Sequence, residues 1–135
     1  MKTLITYLVE DNTTVLNNLI ETLSETADVT VAAHSATQAE ASRWLELHDG
    51  AWDLAIVDLF LKQGSGLGVL AGCRKRRSWQ KIVVLTNYAT ADIRLRATSL
   101  GADAVFDKST ELDELIDYCV QLTASFRKAQ IRPLH

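Results

Sequence analysis

One run of four residues constrains this fold more than any other feature. Leu54-Ala55-Ile56-Val57 is apolar at every position, with no polar alternation. A strand that offers water neither face must be covered on both sides, as in a parallel sheet packed between helices. Leu4-Ile5-Thr6-Tyr7-Leu8-Val9 and Ile82-Val83-Val84-Leu85 read as further strands, and Val29-Thr30-Val31-Ala32-Ala33 and Ala104-Val105-Phe106 supply two more. Between these runs the apolar residues recur at helical spacing. They are Val15, Leu16, Leu19, Ile20 and Leu23; then Ala39, Trp44 and Leu45, behind a capping box of Ser35 and Gln38. A third helix is predicted from about Leu67 to Arg76, after the turn Gly64-Ser65-Gly66. Ile93, Ala97 and Leu100 mark the fourth, closed by Gly101 as a C-cap. Leu112, Leu115, Ile116, Cys119, Val120 and Leu122 form the apolar face of the last, with Ser109 or Thr110 as its cap.

The order is therefore strand then helix, five times over. Such alternation implies one parallel sheet with right-handed crossovers and helices on both faces. The 135 residues suit one domain with a real core. Ligands of such sheets bind at the C-terminal strand ends, beside the point where strand order reverses.

The residues at those ends are unusual as a set. Glu10 and Asp11 follow the first strand, Asp58 the third, Thr86 the fourth and Lys108 the fifth. A single acid at a strand end is ordinarily a cap or a loop residue. Three carboxylates, a hydroxyl and an amine at one sheet edge are not ordinary. Crowded carboxylates repel, and a hard divalent cation relieves the repulsion. Mg²⁺ takes oxygen ligands, keeps several waters and uses one or two carboxylates plus phosphate oxygens. Glu10 and Asp11 suit the cation, and Asp58, ending an apolar strand, suits an acyl-phosphate nucleophile. Lys108 and Thr86 would contact phosphoryl oxygens, since phosphoryl transfer chiefly needs positioning and charge stabilisation.

The formal net charge of −3 disfavours a globally basic nucleic-acid binder. Cys73 and Cys119 lie in helical patterns without metal-ligand spacing, as reduced and partly buried thiols would. No apolar run approaches the ~20 residues of a membrane span, and no signal peptide is evident, so the cytoplasm is the expected location. Gly64-Ser65-Gly66-Leu67-Gly68 lacks the spacing of a phosphate-binding fingerprint. Arg74-Lys75-Arg76-Arg77 is expected to favour a helix C-terminus and solubility.

Leu8-Val9-Glu10-Asp11-Asn12, Ile56-Val57-Asp58-Leu59, Ser65-Gly66-Leu67, Val84-Leu85-Thr86 and Gly101-Ala102-Asp103, followed by Lys108, together resemble the receiver domain of two-component response regulators. The resemblance runs from Leu4 to about Phe126 and is closest to stand-alone, chemotaxis-regulator-like members. It implies a flavodoxin-like doubly wound fold with strand order 2-1-3-4-5. It implies a receiver domain over residues 1–128 and a short tail over 129–135. Asp58 would be the phosphoacceptor. Glu10, Asp11, Asp58 and the carbonyl of Phe60 would hold Mg²⁺, with Thr86 and Lys108 contacting the phosphoryl group. The donor would be a histidine kinase or a histidine phosphotransfer protein. Output would pass through contacts with another protein, first of all at the surface of the fourth helix, fifth strand and fifth helix. A homodimer is admissible, and neither DNA binding nor membrane association is expected. The chain would be a signalling domain with self-phosphorylation and self-dephosphorylation chemistry rather than an enzyme. No segment after the last helix is expected to be long enough for an output domain.

Some positions depart from the family's commonest pattern. Glu10 stands where many members have Asp, Lys62 where proline is common, and Asn87 where Ala or Gly is frequent. Val105 replaces a switching aromatic, and strand alternation places Phe106 on the other face. Ser109 replaces a proline, without which a cis peptide would cost ~3 kcal/mol more. These departures leave a phosphorylation-independent, partner-docking pseudo-receiver as the competing reading. An aspartyl phosphatase would want an acid where Phe60 stands, and a flavin protein of this topology would want a Ser/Thr/Gly-rich first loop. Phe60 and Tyr88 lie two residues past Asp58 and Thr86, where bulk would restrict the in-line water. We predict that Phe60→Asn shortens the lifetime of a phosphorylated form; equal or slower decay, followed by intact mass, would remove the idea.

Overall fold

A computed structural model describes residues 3–131, with side chains described for 3–128. The elements alternate as expected: β1 Leu4–Val9, α1 Thr13–Thr26, β2 Val29–Ser35, α2 Gln38–Leu47, β3 Leu54–Val57, α3 Gly66–Gly72, β4 Lys81–Thr86, α4 Ala91–Ser99, β5 Ala104–Asp107 and α5 Leu112–Ile131. The five strands form one parallel sheet in the order β2-β1-β3-β4-β5. The expected domain boundary at 128 falls inside α5, and residues 132–135 of the expected tail lie outside the described residues.

The sheet separates two apolar layers, and strand alternation assigns each residue to one. Tyr7, Val9, Ala55, Val57, Ile82, Val84 and Val105 face α2, α3 and α4, where Ala41, Val69, Leu70 and Ala97 meet them. Leu4, Leu8, Leu54, Ile56, Val83 and Leu85 face α1 and α5, against Leu16, Leu19, Leu23, Leu115 and Cys119. β3 is buried at all four positions, as its unbroken apolar sequence requires. Phe106 packs on the α1/α5 side, edge-on to Tyr118, with ring centroids 5.8 Å apart.

Several local expectations are corrected. α2 is capped by Thr37, not Ser35: the Thr37 hydroxyl accepts from the Glu40 amide at 3.1 Å and donates to its carboxylate at 3.2 Å. Ser35 is still in β2 and its hydroxyl meets the buried Tyr7 phenol instead. α3 stops at Gly72, short of the predicted Arg76. The reason lies in Arg76, whose guanidinium turns back onto the carbonyls of Cys73, Gln80 and Gly101 and onto Asp103. Four acceptors for one cation outweigh four further residues of helix. At the start of α5 the turn is held by Asp107, whose carboxylate accepts from the amides of Ser109 and Thr110. Val120, predicted on the apolar face of α5, is exposed at 41%. Among the described residues no peptide bond is cis, so Lys108–Ser109 is trans.

Cys73 and Cys119 are both free and buried, one in each apolar layer. Burial pushes the Cys73 thiol up to about 11 and the Cys119 thiol up to about 12. The thiolate is the reactive species, so near pH 8 native protein should react with a disulfide reagent roughly a hundredfold more slowly than a free thiol of ordinary pKa. Denaturant should release both groups at once. Rapid labelling of the native fold would contradict this packing.

Candidate functional site

β1 and β3 are neighbours although β2 lies between them in sequence, so the chain reverses direction across the sheet at this pair. The register pairs Val9 with Val57, and the Asp58 amide donates to the Val9 carbonyl at 2.9 Å. The next residues, Glu10 and Asp58, therefore leave the sheet side by side. Thr86 ends β4, and the Lys108 amide donates to the Thr86 carbonyl at 2.9 Å, which carries Lys108 to the same edge.

Lys108 joins the carboxylates directly. Its ammonium lies 2.5 Å from Glu10 and 3.0 Å from Asp58, and all three side chains are nearly buried. Oxygens of Glu10, Asp11 and Asp58 all lie within 4.8 Å of one another. The other bonds are backbone tethers. Asn12 donates its amide to Glu10 at 3.0 Å, Phe60 to Asp58 at 3.2 Å and Lys62 to Asp11 at 2.6 Å. Thr86 is fully buried, and its hydroxyl oxygen accepts from the Tyr88 amide at 3.2 Å, leaving the hydroxyl's one donor for another acceptor.

The electrostatics are unbalanced. Three carboxylates meet one ammonium, so two negative charges lack a counter-charge when all groups are ionised. Burial raises the Glu10 pKa, the Asp58 charge adds to the rise, and the Lys108 and Asn12 hydrogen bonds only partly offset it. Burial would lower Lys108, but its bonds to Glu10 and Asp58 outweigh burial and raise it. The ammonium thus stays charged while the acids remain under-compensated. An all-oxygen cluster of this kind fits a hard divalent cation in both donor type and missing charge.

The structure brings Glu10, Asp11, Asp58 and Lys108 into one cluster and ties Thr86 to it through the backbone. Phe60 is half exposed and packs edge-on against Tyr88, with ring centroids 5.0 Å apart. Asn87 and Ser109, noted only as departures, face each other across the β4–α4 and β5–α5 loops at 3.4 Å. The Lys62 contact was not readable, because it uses the residue's amide rather than its side chain. A cap did carry a signal: Asn12, directly after the acidic pair, accepts from the Val15 amide at 3.0 Å and starts α1.

α3 begins against the same site. Its amide at Gly66 donates to the Leu59 carbonyl, and a Cβ there would stand 2.2 Å from the Asp58 carbonyl oxygen and 2.6 Å from the Leu59 Cα.

A family model described as response regulator receiver domain matches residues 6–119. An alginate biosynthesis transcriptional regulatory protein, AlgB of Pseudomonas aeruginosa, is 32% identical over 108 residues, which is 80% of this chain and 23% of that protein. The chain thus spans about a quarter of that relative's length. A two-component response regulator of the LuxR family from Aurantimonas superposes with TM-score 0.80 at 22% identity, covering 92% of this chain and 87% of that one. The Mn²⁺-bound form of the response regulator Rcp1 superposes with TM-score 0.68 at 22% identity, covering 91% and 94%. Gly66→Ala tests the local packing: backbone atoms cannot yield as a flexible side chain would, so it should cost about 2–3 kcal/mol. An unchanged melting temperature would refute the contact.

Proposed function

Because the chain belongs to the response regulator receiver-domain family, we propose that it accepts a phosphoryl group on Asp58. The observation that carries the reading is the placement of Asp58. It is buried at the end of β3, with one carboxylate oxygen 3.0 Å from the Lys108 ammonium and the other 3.2 Å from the Phe60 amide.

These contacts suit each stage of an in-line transfer. An Asp58 oxygen attacks phosphorus, the new P–O bond forms, and the bond to the donor breaks. With a phosphohistidine donor the P–N electron pair stays on the imidazole, which takes up a proton. Lys108 keeps its charge beside the attacking group and can follow the charge onto a phosphoryl oxygen. Thr86 can donate its hydroxyl hydrogen to another oxygen, since its known bond uses it only as an acceptor. Glu10, Asp11 and Asp58 would hold Mg²⁺, and the Phe60 carbonyl would add an oxygen, its backbone being tethered beside the cluster. When bound, the cation supplies charge neutralisation for the phosphoryl oxygens. The Mn²⁺ bound by Rcp1 supports a divalent ion in this setting.

The donor would be a sensor histidine kinase or a histidine phosphotransfer protein. Among the described residues no helix is long and apolar enough to cross a membrane. A cytoplasmic location and signalling through altered protein contacts are part of the same proposal. So is a regulator role: the relative AlgB is described as transcriptional, and this chain corresponds to about a quarter of it.

The test is chemical. Wild type and Asp58→Asn are incubated with Mg²⁺ and acetyl phosphate, and intact mass is measured. Wild type should gain one phosphoryl group, the variant none, and chelation should abolish the gain. An adduct that persists in the variant would place the acceptor at another residue and overturn the reading of Asp58, and one that never forms in wild type with any donor would favour the pseudo-receiver reading.

A further inference from the structure

Arg94 lies in the first turns of α4 and reaches three acceptors on three different segments. Its Nε donates to the Ala89 carbonyl at 3.0 Å, in the loop that follows Thr86. One terminal nitrogen donates to the Val105 carbonyl of β5 at 2.9 Å. The other meets the Glu111 carboxylate at 2.5 Å, just before α5. The same Glu111 oxygen accepts from the Asp107 amide at 3.0 Å, and Asp107 immediately precedes Lys108.

These bonds close a ring. The Lys108 amide binds the Thr86 carbonyl, and the Thr86 hydroxyl accepts from Tyr88. Tyr88 adjoins Ala89, which Arg94 holds, and Arg94 holds Glu111, which holds the residue before Lys108. Asn87 and Ser109 cross the same gap between the two loops. The two residues assigned to the phosphoryl oxygens thus sit on segments fixed to each other by one guanidinium and one carboxylate. Glu111 has its carboxyl held below the usual range, chiefly by the Arg94 hydrogen bond and then by the Asp107 amide, so the pair stays charged at neutral pH.

We propose that Arg94 and Glu111 are positioning residues for phosphoryl acceptance, holding the Thr86 and Lys108 loops in the geometry that Asp58 requires. The inference rests on Asp58 as acceptor but adds residues that touch neither the metal cluster nor the transferred group. It makes a distinctive demand. Loss of the tie should slow transfer without weakening the cation site, because Glu10, Asp58 and Asp11 are tethered by the amides of Asn12, Phe60 and Lys62, none of which belongs to the ring.

The experiment measures phosphorylation by acetyl phosphate as a function of Mg²⁺ concentration. Losing one charge-assisted bond at the transition state slows a reaction roughly tenfold or more. Arg94→Met should show that loss in maximal rate, with the half-saturating Mg²⁺ concentration unchanged. Glu111→Gln, which keeps an acceptor for Arg94 and for the Asp107 amide, should retain most of the rate, whereas Glu111→Ala should not. Arg76→Met is the control for stability alone, since Arg76 is equally well bonded at the opposite end of the sheet. It should lower the melting temperature and leave the rate of folded protein unchanged. A wild-type rate in Arg94→Met, an equal loss in Arg76→Met, or a matching loss of Mg²⁺ affinity would each overturn the proposal. A wild type that takes no phosphoryl group would overturn the acceptor reading, and this one with it, and is distinguished from them by the absence of any wild-type signal.

Discussion

The site depends on one ammonium held among carboxylates. Lys108 contacts Glu10 and Asp58 at the sheet's C-terminal edge, where little water reaches any of the three. That meeting is a product of strand order. Glu10 and Asp58 adjoin because β1 and β3 pair, and Lys108 arrives because β5 pairs with β4. Any other order would separate the charges. Removing the ammonium would leave nearly buried acids without a counter-charge, a loss worth about 3–5 kcal/mol in comparable pairs. Even with Lys108 present the acids outnumber it. An edge that serves stability alone would not keep that imbalance, so it is itself an argument for a ligand that brings positive charge.

The fold was legible because its strands obey one rule. β3 has no polar position, and the structure buries every one of its residues. The cluster was legible for the same reason: once five strands are in register, strand-end residues converge without any need to know side-chain geometry. Failures came where side chains competed with local pattern. Arg76 ends α3 early because the carbonyls of Cys73, Gln80 and Gly101 offer it better bonds than a further helical turn does. Ser35 looked like a cap by spacing, but β2 extends through it and Tyr7 takes its hydroxyl. Val120 matched the helical period of α5, yet it lies at the edge of the face that Leu115, Cys119, Leu122 and Phe126 turn to the core, and it is left exposed.

The Arg94 and Glu111 pair could not be read from sequence at all. The residues are 17 apart, on different elements, and their meeting requires α4 and the start of α5 to converge over β5. Nothing in the period of either helix announces that. The pair also occupies the neighbourhood of Val105, whose small side chain faces the α2/α3/α4 layer while its carbonyl accepts from Arg94. Coupling here would therefore run through backbone acceptors rather than through an aromatic side chain. A backbone carbonyl moves only when its strand or loop moves, so such a tie transmits displacement of whole segments.

That difference bears on how the domain would respond to a phosphoryl group. At present Lys108 divides its hydrogen bonds between Glu10 and Asp58. Converting Asp58 to an acyl phosphate would remove one carboxylate oxygen from that arrangement and place dianionic phosphoryl oxygens just beyond it. Lys108 must then redistribute its bonds, and Thr86 has a hydroxyl donor to offer the newcomer. Both residues belong to loops that Arg94 and Glu111 hold together, so neither can shift without straining the same two side chains. The charge change is local, but the ring makes its mechanical consequence shared by α4 and α5. Two loops joined in this way favour a concerted change over independent motions, which is the condition for a population shift between two discrete states.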